Sequence, residues 1–248
     1  MAHPQEGSFY MPHNNEPLYP IEYTFEFQDG RKRTFKIELD PDTISIVNPT
    51  PSSFPEWTRL DNERCEVCTL SPDKHEYCPI ALNIAELVDE FKDSFSYDSC
   101  RVICTTPERS YQKDTSVQEG LFSLIGIIMA TSDCPVMDLF KPMARFHLPF
   151  STIQESMVRT TSLYLLRQYF EYKRGNEPDI DMKGLDAHYE RVQKLNKGIL
   201  NRIGSVSEKD ADRNAIIILN SLAQLFNVEI EDNLTSVEYL FNIAPSGS

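Results

Sequence analysis

The residues best equipped for chemistry in this chain are Cys65, Cys68 and Cys78, which lie in the stretch ERCEVCTLSPDKHEYCPIALN, Glu63 to Asn83. Two residues between Cys65 and Cys68 are enough to turn the backbone, so this knuckle aims two sulfurs at one ion. Cys78 precedes Pro79, which suits a first helical turn, and the start of a helix favours an anionic thiolate. Three ligands of a tetrahedral site are therefore local. The fourth is expected from Cys134, which like Cys78 is followed by proline at a structural boundary. His75 is the local reserve, and Cys100 or Cys104 the remaining thiol alternative. Four sulfur ligands point to structural zinc. An iron-sulfur cluster is the alternative, although its usual run of closely spaced cysteines is missing. The plain reading is a set of unligated thiols, since free cysteine is among the most buried residue types. Burial in a strand is the expectation for Cys100 and Cys104, which share one face of CRVICTT.

A second polar group lies in MARFHLPFSTIQESMVR, with Arg145, His147, Glu155 and Arg159. Glu155 and Arg159 stand four apart on one helix face, and His147 precedes that helix in a loop between Pro142 and Pro149. Arg109 and Gln118 are expected to converge nearby. A histidine beside a carboxylate can act as acid or base near neutral pH, but an ordinary hydrogen-bond network uses the same residues. No Ser-His-Asp order, nucleophile elbow, phosphate-binding glycine loop or HExxH pattern accompanies them. A binding or regulatory protein is therefore expected rather than an enzyme. The alternatives are a redox protein, or an enzyme working through His147, Glu155 and Arg159.

The elements that must hold these groups can be read from periodicity. Tyr23, Phe25 and Phe27 alternate with polar residues before Asp29-Gly30, and Phe35, Ile37 and Leu39 alternate after it, which is a hairpin signature. A third strand at Thr43 to Val47 would extend the pair into a meander. Pro49, Pro51 and Pro55 then interrupt regular structure. Ile80, Ile84, Leu87, Val88 and Phe91 have helical spacing. Thr115-Ser116-Val117-Gln118 has capping-box form before the apolar run Leu121 to Ala130, which predicts a buried helix ending at Ser132. Thr152-Ile153-Gln154-Glu155 offers a second box, with Met157, Leu163, Leu166, Tyr169 and Phe170 as its apolar face and Gly175 as its stop. Leu185, Tyr189, Val192, Leu195, Ile199 and Ile203 form a long stripe, and a last helix is expected from Ser207. The fold class is α+β: an N-terminal arm over 1–20, a small antiparallel hairpin or meander over 21–60, and a cysteine-containing, mainly helical body over 61–248.

The 248 residues are 40% apolar and 10% aromatic, values that support a buried core. Twenty-four basic against 38 acidic side chains leave a net charge of −14. An acidic balance of this kind argues against a nucleic-acid or anionic-membrane surface, and Arg31-Lys32-Arg33 is too short a run to reverse it. No apolar run approaches the length of a membrane helix, and the N-terminus lacks the layout of a signal peptide. Six cysteines without an export signal imply the reducing cytoplasm. A protein partner or a homo-oligomer, in which hairpins pair edge to edge, is the expected association.

In combination, CEVCTLSPDKHEYCPIALN, QEGLFSLIGIIMATSDCP, ARFHLPF and DADRNAIIILNSLAQL resemble motifs of a group of uncharacterised bacterial proteins. The resemblance runs from about the hairpin to the last helix and implies no activity. It does imply that the two Cys-Pro elements belong together, which favours Cys134, and that glycine would be expected where this chain has Asp133.

Overall fold

The Asp29-Gly30 pair turns the chain as its sequence requires. Gly30 adopts a φ of 86° and donates its N–H to the Phe27 carbonyl at 3.0 Å. This closes a hairpin between β1 (Tyr19–Phe27) and β2 (Lys32–Leu39). The computed structural model describes residues 17–47, 54–206, 209–232 and 234–241, so most of the expected N-terminal arm, with Pro49 and Pro51, lies outside the described residues. Strand alternation turns Ile21, Tyr23 and Phe25 inward with no exposure, while Glu22, Thr24 and Glu26 face outward.

The third strand expected at Thr43 to Val47 does not form. The Asp40 carboxylate accepts the N–H groups of Asp42 and Thr43 and the Thr43 hydroxyl, and Ile44 takes a φ of 56°. This tight turn leaves Ile46 with only a single bridge to Leu39, and its N–H bonds to the Thr131 carbonyl instead. The free edge of β1 is taken by β3 (Ser99–Thr105), which pairs in turn with β4 (Ser110–Ser116). All pairs are antiparallel, in the order β2-β1-β3-β4. The edge strands carry Lys32, Arg33 and Lys36 on β2 and Lys113 and Asp114 on β4. Charged edges of this kind resist edge-to-edge pairing with a second sheet.

Helix α1 (Pro79–Phe91) buries Ile80, Ile84, Leu87, Val88 and Phe91 as its spacing predicts. Helix α2 (Val117–Thr131) lies on the inner face of the sheet, where Gly120 permits a close approach: a methyl there would stand 2.8 Å from Val102 Cγ2. Leu121, Leu124, Ile125 and Ile128 are all buried, and beyond Glu119 in the first turn no residue of this helix is exposed, so its amphipathic pattern is weak. The capping box expected at its start is not made. Thr115 is still paired with Cys100 in the sheet, and its hydroxyl donates to the Glu119 carboxylate at 2.6 Å.

After the short α3 (Lys141–Arg145) comes α4 (Ile153–Lys173), whose capping box is formed: Glu155 N–H donates to Thr152 Oγ1 at 3.2 Å, and Thr152 N–H to the Glu155 carboxylate at 2.7 Å. Its inward face differs from the predicted one. Met157, Thr160, Thr161, Tyr164 and Gln168 are buried, whereas Leu166, Tyr169 and Phe170 are about half exposed. Buried threonines are tolerated because each hydroxyl can bond back along the helix, as Thr161 Oγ1 does to the Met157 carbonyl at 2.9 Å. The stripe of α5 (Lys183–Gly204) is buried as expected, and it packs along α6 (Ala211–Glu231). The expected start of α6 at Ser207 lies outside the described residues; Asp210 precedes the helix and accepts the N–H and hydroxyl of Ser96. A final turn, α7, covers Thr235–Glu238. Among the described residues no helix is long and apolar enough to cross a membrane. The architecture is α+β, a four-stranded antiparallel sheet and a mostly helical body.

Candidate functional site

The Cys65–Cys68 knuckle is built by its own backbone. Cys68 N–H donates to the Cys65 carbonyl at 3.0 Å, and Arg64 Nη2 clamps the far side through the carbonyls of Cys68 and Leu70. Cys78 stands at the N-cap of α1, with its N–H bonded to the Thr58 carbonyl at 2.8 Å and its sulfur beside the first-turn N–H groups of Ile80 and Ala81. Cys134 follows α2 directly, and its sulfur lies beside the N–H of Val136. Two of the four sulfurs therefore face backbone donors, which stabilise a thiolate.

The structure brings these four cysteines together. Cys65 lies near enough to Cys68 and Cys78, and Cys134 near enough to all three, for their thiolates to act on one another electrostatically. Burial pushes the Cys65 thiol up to about 11, with Cys68 and Cys78 adding to the shift. Burial likewise takes Cys134 up to about 12, against the pull of the Val136 N–H. Cys78 is raised by burial and drawn back by the Ala81 N–H and by Arg202. Among the described residues no three His, Cys, Asp or Glu side chains already stand in a metal-holding arrangement. The four thiols are a convergent cluster rather than a finished cage.

Helix α5 supplies two groups to this cluster that the sequence reading missed. Gly198 lets the helix touch the knuckle: a methyl there would stand 2.9 Å from the Cys65 Cα, too close for any side chain. One turn on, Arg202 is 2% exposed. Its guanidinium donates to the carbonyls of Trp57 (3.0 Å), Arg59 and Leu60 (3.1 Å), fixing the segment that leads to Cys65, and its positive charge acts on Cys65 and Cys78. The available signal was a glycine and an arginine four apart within an apolar stripe. Asn83 of α1 completes the arrangement by donating to Ser132 Oγ at 3.0 Å, which ties the helix that begins at Cys78 to the end of α2 just before Cys134.

The alternative ligands lie elsewhere. His75 is exposed on the loop, its N–H bonded to the Ser71 carbonyl. Cys100 and Cys104 are buried on the inner face of β3, Cys104 against Tyr23.

The second polar group is dispersed. Glu155 belongs to the α4 cap, while Arg159 Nη2 donates to the carbonyls of Met143 (3.0 Å) and Phe146 (2.8 Å), so the expected close pair is replaced by separate duties. Arg145 stacks over the Tyr19 ring at 4.0 Å and meets Glu108 at 3.7 Å. Arg109 reaches Tyr111 Oη at 3.5 Å on the β3–β4 turn, and Gln118 sits at the start of α2 with its N–H on the Ser96 carbonyl. His147 hydrogen-bonds through Nε2 to the hydroxyl of the fully buried Tyr23.

Burial, then the nearby charge of Arg159, pushes the His147 imidazole down to about 3. Burial does the same to His188, to about 4. An unfolded histidine takes up a proton below about pH 6.5, whereas these folded ones refuse it until much lower pH. The unfolded state therefore binds more protons in that window, and stability is expected to fall as pH drops from about 6.5 toward 3. His147→Gln should flatten that fall by up to about 1.4 kcal/mol per pH unit, measured by urea unfolding at pH 7, 5 and 4. An unchanged slope would show that His147 is protonated freely in the folded protein.

No curated protein and no solved structure is significantly similar to the chain. One family model, described as Domain of unknown function (DUF6901), matches residues 21–242, from β1 through the thiol cluster and beyond α7. A match over that length shows that the chain belongs to the DUF6901 family.

Proposed function

We propose that this chain is a metal-stabilised binding or regulatory protein of the cytoplasm, in which Cys65, Cys68, Cys78 and Cys134 hold one structural zinc ion. The observation that carries this reading is the convergence of the four thiols from three separate segments, with backbone N–H groups aimed at Cys78 and Cys134. A zinc ion with four thiolates is net negative, and Arg202 is the buried cation beside it. Such an ion would pin the knuckle, α1 and the end of α2 to one another and stabilise the fold directly.

Elemental analysis and a visible spectrum of anaerobically purified protein test this reading. One zinc per chain in colourless protein is the expected result. Brown protein containing sulfide would assign the same cysteines to an iron-sulfur cluster, and a fully stable protein without metal would overturn both. The catalytic alternative at His147, Glu155 and Arg159 has less support, because Glu155 is committed to the α4 cap.

The binding half of the reading is supported by Leu166, Tyr169 and Phe170 of α4, which lie about half exposed together with Tyr172. Apolar surface gathered in this way marks protein contact sites. Replacing Leu166 and Phe170 by Glu is expected to change stability by no more than about 0.5 kcal/mol while removing concentration-dependent association in light scattering. A much larger stability loss would mean that the row packs within the chain.

A further inference from the structure

A cavity of about 150 Å³ lies between α2 and α6 and reaches the loop that leads into α4; none of the cysteines lines it. Its lining divides by element. Ile127 and Met129 of α2 and Leu219, Leu222 and Phe226 of α6 are apolar, whereas His147, Ser151, Ser156 and Arg159 come from the loop and the first turns of α4. Ser156 stands three residues before Arg159, on the same face of the helix, and shares a 2.8 Å hydrogen bond with Ser151. Asn196 of α5 also belongs to the lining, but its amide is fully buried without a partner and presents no atom to the space.

Arg159 is the one charged lining group, and among the described residues no Asp or Glu lines the cavity. Its Nη2 donates to the carbonyls of Met143 and Phe146, which leaves Nε and Nη1 without a hydrogen bond among the described residues. Glu155, four residues earlier, acts on it only at a distance, because that carboxylate is held by the N–H and hydroxyl of Thr152. Burial accordingly draws the Arg159 pKa below its ordinary value, against the opposing effect of Glu155. His147 adds no second cation, since burial holds its imidazole down to about 3.

We propose that this cavity binds a small apolar monocarboxylate, with its body against the α2 and α6 side chains and its carboxylate accepting a hydrogen bond from Arg159. A space near 150 Å³ holds a body about the size of benzene. A carboxylate on a guanidinium makes a charge-assisted hydrogen bond, stronger than one between neutral groups, and supplies the counter-charge that the lining lacks. One cation matches one negative charge. A phosphate dianion would bring a second charge into apolar surroundings with no partner there.

Titrations with benzoate, benzamide and acetate, followed by ligand-detected NMR, test head and body separately. Benzamide keeps the ring and lacks the charge, whereas acetate keeps the charge and lacks the ring. Wild-type protein is expected to bind benzoate at least about tenfold more tightly than either, a margin of about 1.4 kcal/mol. Arg159→Met should bind benzoate no better than benzamide. Gly126→Leu keeps the test decisive if that variant does not fold: a methyl at Gly126 would meet Leu219 Cδ2 at 3.7 Å, an ordinary contact, so a side chain can enter the space and leave Arg159 in place. This variant should lose benzoate. No benzoate binding in wild type, benzoate bound no better than benzamide or acetate, or benzoate binding unchanged in either variant would overturn the proposal. Neither substitution touches the cysteines, so the zinc reading stands or falls separately.

Discussion

Cys134→Ser is expected to lose most of the bound zinc and, with it, roughly 3–5 kcal/mol of stability, or about 10 °C of Tm in a chain of this size. Cys134 is the ligand delivered from outside the local stretch, so its loss should unfasten the end of α2 from the start of α1. Cys65→Ser, Cys68→Ser and Cys78→Ser should show the same paired loss of metal and stability. Cys100→Ser and Cys104→Ser should keep the metal, because both residues face the sheet interior. Stripping wild type with a chelator should lower its Tm about as far as the substitution does, and the same treatment should add little in Cys134→Ser, since both remove one shared interaction. Metal content by elemental analysis and Tm by calorimetry provide the readouts. Full zinc in Cys134→Ser, with loss in His75→Ala, would transfer the fourth position to His75.

Arg202→Met is expected to cost about 3–5 kcal/mol, although it removes no carboxylate ion pair. The variant strands the carbonyls of Trp57, Arg59 and Leu60, which receive all three of the Arg202 hydrogen bonds. Those carbonyls belong to the segment that carries the chain into the knuckle and, through Thr58, onto Cys78 N–H. Loosening them should also speed zinc release to a chromogenic chelator. Arg202→Lys should fall between wild type and Met, because an ammonium restores the charge but not the planar fork that reaches several carbonyls. Urea unfolding supplies the stabilities. Wild-type stability in Arg202→Met would refute the structural role given to this residue.

Several elements were legible without coordinates because the signal and the cause are both local. Asp29-Gly30 needs only a positive φ at Gly30, and Thr152 with Glu155 needs only two side chains reaching back three residues. The stripe of α5 was equally readable, since period and burial agree there. Strand β4 was not, because SYQKDTS lies on an edge and has no fully buried side to produce alternation. The capping box at Thr115 was a sound local pattern that lost to a nonlocal one, the pairing of Thr115 with Cys100. On α4 the apolar row pointed the wrong way, since the neighbouring elements cover the hydroxyl-rich face instead.

The candidate sites divide along the same line. Cys65, Cys68 and Cys78 could be named from spacing alone, and the shared Cys-Pro form pointed to Cys134, because residue type and the geometry of a short turn are properties of adjacent positions. Which face of α5 touches the knuckle, why position 198 must be glycine, where Arg202 spends its hydrogen bonds and that Asn196 ends with none were decided only by tertiary packing. These depend on close approach between segments more than a hundred residues apart, or on the shape of a space enclosed by several helices, and no local pattern encodes either.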